Sequence, residues 1–348
     1  VNLTLQAARP APLPLQILTG FLGAGKTTLL NRLLRAPELA DTVVIVNEFG
    51  EVGLDHLLIE GAGDGMILME SGCLCCTIRG DLVNTLEDLL RRRDNGRIAP
   101  FRRVVIETTG IADPVPILHV VLMHPYLSRR YQLDGVITVV DAVNGEATLQ
   151  AQDEAVRQVA VADRLVLTKT DLLPDGRPPA ALQSLLASLN PGARQVLAAK
   201  GEAEAAALIG LGLYDLAAHP AEVEAWLAIE AVLDPSRAHG HDPSRHGEDV
   251  RAFALIAEHP IRSQTLDLFW SLLRSTHGPR LLRLKGIVNV AEHPGAPLVL
   301  HAAQQIMHPP VALAGWPSED RRSRLVLIVR GLDPAVVEKL WAAFLGRG

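Results

Sequence analysis

The chain has 348 residues, 48% of them hydrophobic and 21% charged, enough to bury one large domain and a smaller one and too apolar for wholesale disorder. A net charge of −6 and an isoelectric point near 6.1 supply no positive field for a phosphodiester backbone, which excludes nucleic acid as a main partner. No apolar run reaches the ~18 residues of a spanning helix, and residues 1–16 lack the layout of a secretory signal, so a cytoplasmic protein without a membrane partner is expected.

Residues 1–14 read as an N-terminal extension, and residues 15–215 as a nucleotide-binding domain of α/β class with a mostly parallel sheet. The stretch LPLQILTGFLGAGKTTLLNRLL is a short apolar run, then Gly20-x4-Gly25-Lys26-Thr27, then Leu29, Leu30, Leu33 and Leu34 at helical spacing. Strand, glycine-rich loop and helix in that order are the context a phosphate loop requires. Glycines 20, 23 and 25 let backbone N–H groups turn toward a phosphate chain at the positive end of the following helix. Gly20, Gly23, Ala24, Gly25, Lys26, Thr27 and Thr28 form the expected phosphate-binding set, with Lys26 reaching the β and γ phosphates and Thr27 on Mg²⁺.

Each later strand ends in polar residues, where an open parallel sheet keeps its site. DTVVIVNEFGEVG ends in Asn47, Glu48 and Glu51. All three cysteines then fall within four positions of ESGCLCCTIRGDL, at Cys73, Cys75 and Cys76. Residues at i, i+2 and i+3 are poorly placed to bridge one another, which removes a disulfide. A soft-metal site, a redox thiol and a packed turn remain open. Three thiolates would leave a fourth position of a tetrahedral shell for Glu48, water or a residue of another protein.

FRRVVIETTGIADP places Glu107 where it can meet Mg²⁺, and Gly110 where a backbone N–H can approach a γ-phosphate. LDGVITVVDAV ends in Asp141, ADRLVLTKTDLL ends in Thr168, Lys169 and Asp171, and ARQVLAA precedes Lys200 and Gly201. A carboxylate such as Asp171 accepts from the N1–H and N2–H₂ edge of guanine, which adenine lacks, while the Lys169 stem packs along the base. GTP is therefore the expected nucleotide, with Lys26, Thr27 and Glu107 as the catalytic set. The partner of the attacking water is left unassigned among Glu48, Glu107 and Asp113.

Residues 216–248 are a helix-prone stretch followed by a linker in which His239, His241 and His246 could hold metal as accessory ligands or merely be solvated. Residues 249–348 read as an α+β domain. DVRAFALIAE, RLLRLKGIVNVAE, PLVLHAAQQIM and RRSRLVLIVRGL are its strands, and SQTLDLFWSLLRST and DPAVVEKLWAAFL its helices. Asp333 is the expected N-cap of the last helix, Trp270 and Trp341 are expected in the core, and His301 and His308 are weak ligand candidates.

GFLGAGKTTLL, NEFGEVG, ESGCLCC, ETTGIADP, LDGVI and LTKTDL, in this order, resemble the CobW-type family of P-loop GTPases, relatives of the metallochaperones that help load nickel into urease and hydrogenase. RLKGIVNV and AAQQIMHPP resemble that family's C-terminal domain, less specifically. The family often has Asn where this chain has Thr168. The resemblance implies Mg²⁺-dependent hydrolysis of the GTP β–γ phosphoanhydride to GDP, linked to delivery of zinc or cobalt to a client metalloprotein or cofactor-synthesis enzyme, and a homodimer is a candidate assembly. In such a protein GTP would order the cysteine segment and hydrolysis would release its metal. The alternatives are a GTP-regulated metal sensor or store without a client, and a P-loop kinase acting on a small metabolite.

Overall fold

Seven strands carry the first part of the chain: β1 (Leu13–Gly20), β2 (Thr42–Asn47), β3 (Met66–Met69), β4 (Arg103–Thr108), β5 (Tyr131–Asp141), β6 (Arg164–Thr168) and β7 (Arg194–Leu197). In the computed structural model, which describes residues 11–47, 66–69, 77–210 and 250–346, they form one sheet in the order β3-β2-β4-β1-β5-β6-β7, every pair parallel. Their sequences are near-continuous runs of Val, Ile and Leu because helices cover both faces. Those helices are α1 (Lys26–Leu33), α2 (Thr77–Asp94), α3 (Val115–Met123), α4 (Leu127–Arg130), α5 (Gly145–Ala151), α6 (Asp153–Ala160) and α7 (Ala180–Leu189).

A parallel sheet collects the C-terminal ends of its strands on one edge. Gly20, Asn47, Met69, Thr108, Asp141, Thr168 and Leu197 all end there, and the loops they feed share that edge. Six of the seven strands were expected. The seventh, β3, is a four-residue edge strand pairing Met66–Met69 with Val44–Asn47. A run as short as MILM carries no period of its own, so only tertiary pairing reveals it.

The second part is β8 (Val250–Ala257), α8 (Ser263–His277), β9 (Leu281–Val288), β10 (Leu298–Ala303), β11 (Ile306–Met307), β12 (Val311–Ala312), β13 (Ser323–Arg330) and α9 (Pro334–Leu345). Its strands pair antiparallel in the order β11-β10-β9-β13-β8, with β12 also on β10. Leu266, Phe269 and Leu273 of α8 and Val337 and Trp341 of α9 pack into one core with the sheet, Phe269 edge-on to Trp341 at 4.8 Å. Trp270 is partly buried against it. Asp333 accepts from the Ala335 amide at 3.0 Å and caps α9. PLVLHAAQQIM is not the single strand expected, because Gln304 adopts φ 50° and the chain doubles back into the β10–β11 hairpin.

The two parts share their cores. Val250, Leu282 and Ile328 pack with Leu165, Leu182 and Leu186, and Ala303 and Ile306 join the cluster around α3. Charge is buried in the same seam. Asp163, which precedes β6, pairs with Arg283 and, at 2.7 Å, with the Lys285 amine, both from β9. Its other oxygen accepts from the Val136 amide at 2.9 Å. Burial opposes ionisation of Asp163, but the two cations hold it well below the usual carboxylate range. Beside this pair His301 and His308 are buried with rings 6.0 Å apart. Burial, then the neighbouring cations, lowers His308 to about 4 and His301 well below its ordinary value. Among the described residues no helix is long and apolar enough to cross a membrane.

Candidate functional site

The loop between β1 and α1 begins at Gly20, whose φ of +143° and close approach to β5 admit no side chain: a Cβ there would stand 2.3 Å from the Val139 carbonyl oxygen. The Ala24 amide closes a turn onto the Phe21 carbonyl at 3.2 Å, and the Leu29 amide reaches the Gly25 carbonyl at 2.9 Å to start α1. Lys26, the first residue of that helix, curls its amine over the loop and donates to the carbonyls of Gly20 at 3.0 Å and Phe21 at 3.4 Å. Exposed Thr28 lies against Gly201, whose Cβ would come 2.8 Å from the Thr28 methyl.

Register brings β4 to the same place. Leu18 of β1 lies opposite Glu107, and the Thr27 hydroxyl donates to Glu107 Oε1 at 2.9 Å. One residue on, the Thr108 hydroxyl donates to that of Thr19 at 2.8 Å. A hydroxyl and a carboxylate meeting at a helix N-terminus beside a phosphate-shaped loop are hard oxygen donors, and this donor set fits Mg²⁺. The chain then turns at Gly110, packed so tightly on the loop that a Cβ would lie 2.6 Å from the Leu22 nitrogen. Asp113 follows. Its Oδ1 accepts from the Val115 amide at 3.0 Å and starts α3, and its Oδ2 accepts from Gln304 of the C-terminal hairpin at 3.2 Å.

On the other side of the loop, the buried Thr168 hydroxyl donates to the Ala24 carbonyl at 2.6 Å, tying β6 to the phosphate loop. Lys169 has φ 58°, a left-handed conformation uncommon for a lysine, and its amine pairs with Asp141 Oδ2 at 2.8 Å. Partial burial would raise the Asp141 carboxyl, but bonds from Lys169, Asn144 and the Val143 amide outweigh it and lower the group below its ordinary value. Asp171 Oδ1 accepts from the Lys200 amide at 2.7 Å.

The structure thus brings together Gly20, Gly23, Ala24, Gly25, Lys26, Thr27, Thr28, Glu107, Gly110, Thr168, Lys169 and Asp171 on one sheet edge. Glu48, Cys73, Cys75, Cys76, His239, His241 and His246 lie outside the described residues. Residues 70–76 connect Met69, the end of edge strand β3, with Thr77, the start of α2. Among the described residues no group of three or more His, Cys, Asp or Glu is placed to hold a metal ion. Two residues gain a place that sequence reading did not assign. Asp141 holds the lysine of LTKTD, and the signal was an acid ending an apolar strand, as at Glu107. Gln304 touches the loop after Gly110, and nothing local to Gln304 announces it.

Residues 14–197 match the family described as CobW/HypB/UreG, nucleotide-binding domain, and residues 250–345 the cobalamin synthesis protein cobW C-terminal domain. The chain is 32% identical to the zinc chaperone YjiA of Escherichia coli over 337 residues, covering 96% of this chain and 98% of that one. It is 29% identical to the zinc chaperone CobW of a Sinorhizobium species over 369 residues, at 96% and 98% coverage. The crystal structure of Zn(II)-bound YjiA GTPase from E. coli superimposes with a TM-score of 0.70 at 28% identity, over 96% of this chain and 99% of that one.

Proposed function

Because the chain belongs to the CobW/HypB/UreG nucleotide-binding family and carries the CobW C-terminal domain, we propose that it is a Mg²⁺-dependent GTPase that binds zinc and passes it to a client protein. The observation that carries the nucleotide part is the Thr27–Glu107 hydrogen bond, which joins a glycine-shaped loop to the end of the neighbouring strand. Lys26, whose amine already lies over the loop, would neutralise charge building on the β–γ bridge and γ oxygens as the bond to the attacking water forms. Thr27 and Glu107 would hold Mg²⁺, which supplies a second positive charge to the same oxygens. Gly110 would offer its N–H to the γ-phosphate. The Lys169 stem would cover the base, and Asp171, anchored through one oxygen by the Lys200 amide, would read guanine with the other.

The metal is cargo. Cys73, Cys75 and Cys76, with Glu48 as an additional donor, are the proposed ligands, and thiolates of this kind suit zinc. The relatives YjiA and CobW are both named zinc chaperones, which supports zinc over cobalt. Strand β3, after which the cysteine segment follows in sequence, ends on the sheet edge that carries the phosphate loop, which supports a coupling of nucleotide state and metal affinity in which each would shift the other by the same factor.

Anaerobic GTP turnover tests this with and without one equivalent of Zn²⁺ or Co²⁺, in the wild type and in Cys75→Ser/Cys76→Ser. Zinc is expected to change wild-type turnover and to leave the double variant unaffected. Turnover independent of metal in both proteins would overturn the coupling, and a zinc affinity equal in the GTP and GDP states would reduce the protein to a store.

A further inference from the structure

Gln158 lies in α6 and is completely buried. Its side-chain Nε2 donates to the Gly110 carbonyl at 3.2 Å and to the Ala112 carbonyl at 3.0 Å. Its own main-chain carbonyl accepts from the Thr138 hydroxyl of β5 at 2.7 Å, which fastens that turn of helix to the sheet. The loop after Glu107 is therefore held from below by one side chain, while Gly110 is pressed against the Leu22 backbone from the other side.

The direction of those bonds matters. The Thr109 carbonyl is held as well, accepting from the Ala112 amide at 3.2 Å. A trans peptide points its C=O and the next N–H in opposite directions. Fastening the carbonyls of Thr109 and Gly110 therefore fixes where the N–H groups of Gly110 and Ile111 aim. Two successive backbone amides held in place at a turn are donors that can receive an anion.

Packing alone does not account for an amide at this position. Oε1 of Gln158 is buried without a hydrogen-bond partner among the described residues, and an unmade buried acceptor is destabilising. Methionine has the same reach without that cost. What glutamine adds is two donors aimed at one loop.

We infer that Gln158 is a positioning residue for GTP hydrolysis, setting the Gly110 and Ile111 amides for the γ-phosphate without touching it. The inference rests on the GTPase reading above and extends it to α6. It separates the nucleotides: α and β phosphates are held by the phosphate loop, so loosening the Gly110 loop affects GTP and spares GDP.

Gln158→Met tests it in the full-length protein with Mg²⁺, through steady-state GTP turnover and the affinities for GDP and for a slowly hydrolysed GTP analogue. The expected result is a kcat at least about tenfold lower, since a small misplacement of a catalytic group costs that much or more. The preference for the analogue over GDP should shrink by a similar factor, with GDP affinity within about twofold of wild type. Should that variant not fold, Gln158→Glu keeps the shape. A carboxylate facing two carbonyls should lower kcat at neutral pH, and activity relative to wild type should recover as pH falls, because burial raises the carboxyl pKa and protonation returns a donor. Unchanged kcat, or equal losses of GDP and analogue affinity, or no recovery in the glutamate variant, would overturn the inference. Wild type that turns over GTP beside an equally active variant sinks this inference alone, whereas wild type that neither binds nor hydrolyses GTP sinks the GTPase reading with it.

Discussion

The two edges of the parallel sheet are built from different interactions. At the edge where strands begin, Asp163 is locked by Arg283 and Lys285 from the other domain. At the edge where strands end, the Lys169–Asp141 pair is only partly buried, and neutral side-chain donors hold the loops: Gln158 on the Gly110 and Ala112 carbonyls, Thr168 on the Ala24 carbonyl and Gln304 on the Asp113 carboxylate. Buried charge gives a contact that is costly to open, because each ion left behind is unpaired. Neutral hydrogen bonds are worth only about 1 kcal/mol net and exchange readily for bonds to a ligand. The buried pairs at the first edge are therefore costlier to open than the partly exposed contacts at the second.

Breaking the first edge should have the largest effect. Asp163→Ala leaves Arg283 and Lys285 buried without their carboxylate and should destabilise the protein by about 3–5 kcal/mol, read from urea unfolding. Nucleotide affinity of the folded fraction should be unchanged, because Asp163 sits at the opposite end of the strand from Thr168.

The reverse pattern is expected at the other edge. Lys26→Ala should lower kcat for GTP by about 10²–10³, the range for loss of a preorganised charge-stabilising donor, and shift the urea midpoint little. An equal loss of stability would mean that the lysine serves the loop's fold through its bonds to Gly20 and Phe21.

Acid should also separate the edges. His301 and His308 are held neutral by burial and by the cations beside them, His308 to about 4, whereas both take up protons near 6.5 once unfolded. Between those values the unfolded chain binds more protons, so stability falls as pH falls, by about 1.4 kcal/mol per pH unit for each histidine. Asp141 at the nucleotide edge is shifted below the ordinary carboxylate value, so it stays ionised across this window. Unfolding curves at pH 7, 6 and 5 should show the slope, and His301→Gln/His308→Gln should flatten it.

The same contrast explains what the amino-acid sequence made legible. The nucleotide edge is local. Gly20 through Thr28 are contiguous, and Glu107, Gly110, Thr168 and Asp171 stand at fixed distances after apolar strands, so spacing alone assembled them before any fold was known. The seam between domains is not local. Arg283 and Lys285 read as alternate positions of a strand, and only the fold brings them to a residue about 120 positions away. Gln158 left a fainter trace. It is a polar residue on the apolar face of α6 beside Ala155 and Val159, which is a mark of a buried amide with a task but gives no address for its partner. The short strand β3 and the turn at Gln304 were missed for a related reason, since a four-residue run and a glutamine at φ 50° are settled by their neighbours.

Gln304 is where the two kinds of edge meet, because a side chain of the rigidly docked domain reaches the loop that should answer to phosphate. The substitution must spare its left-handed backbone, so alanine would confuse strain with a lost contact, whereas asparagine tolerates that conformation and is too short to reach Asp113. Gln304→Asn should therefore cost about 1–3 kcal/mol in urea unfolding, the worth of one hydrogen bond to a carboxylate. Asp113 would keep its bond to the Val115 amide, so α3 should still start in place. If the C-terminal domain is only docked, kcat for GTP stays at the wild-type value. If it steadies the Gly110 loop, as the geometry favours, kcat falls by a few-fold and by less than in Gln158→Met, because one bond to a side chain restrains the loop more weakly than two bonds to its backbone.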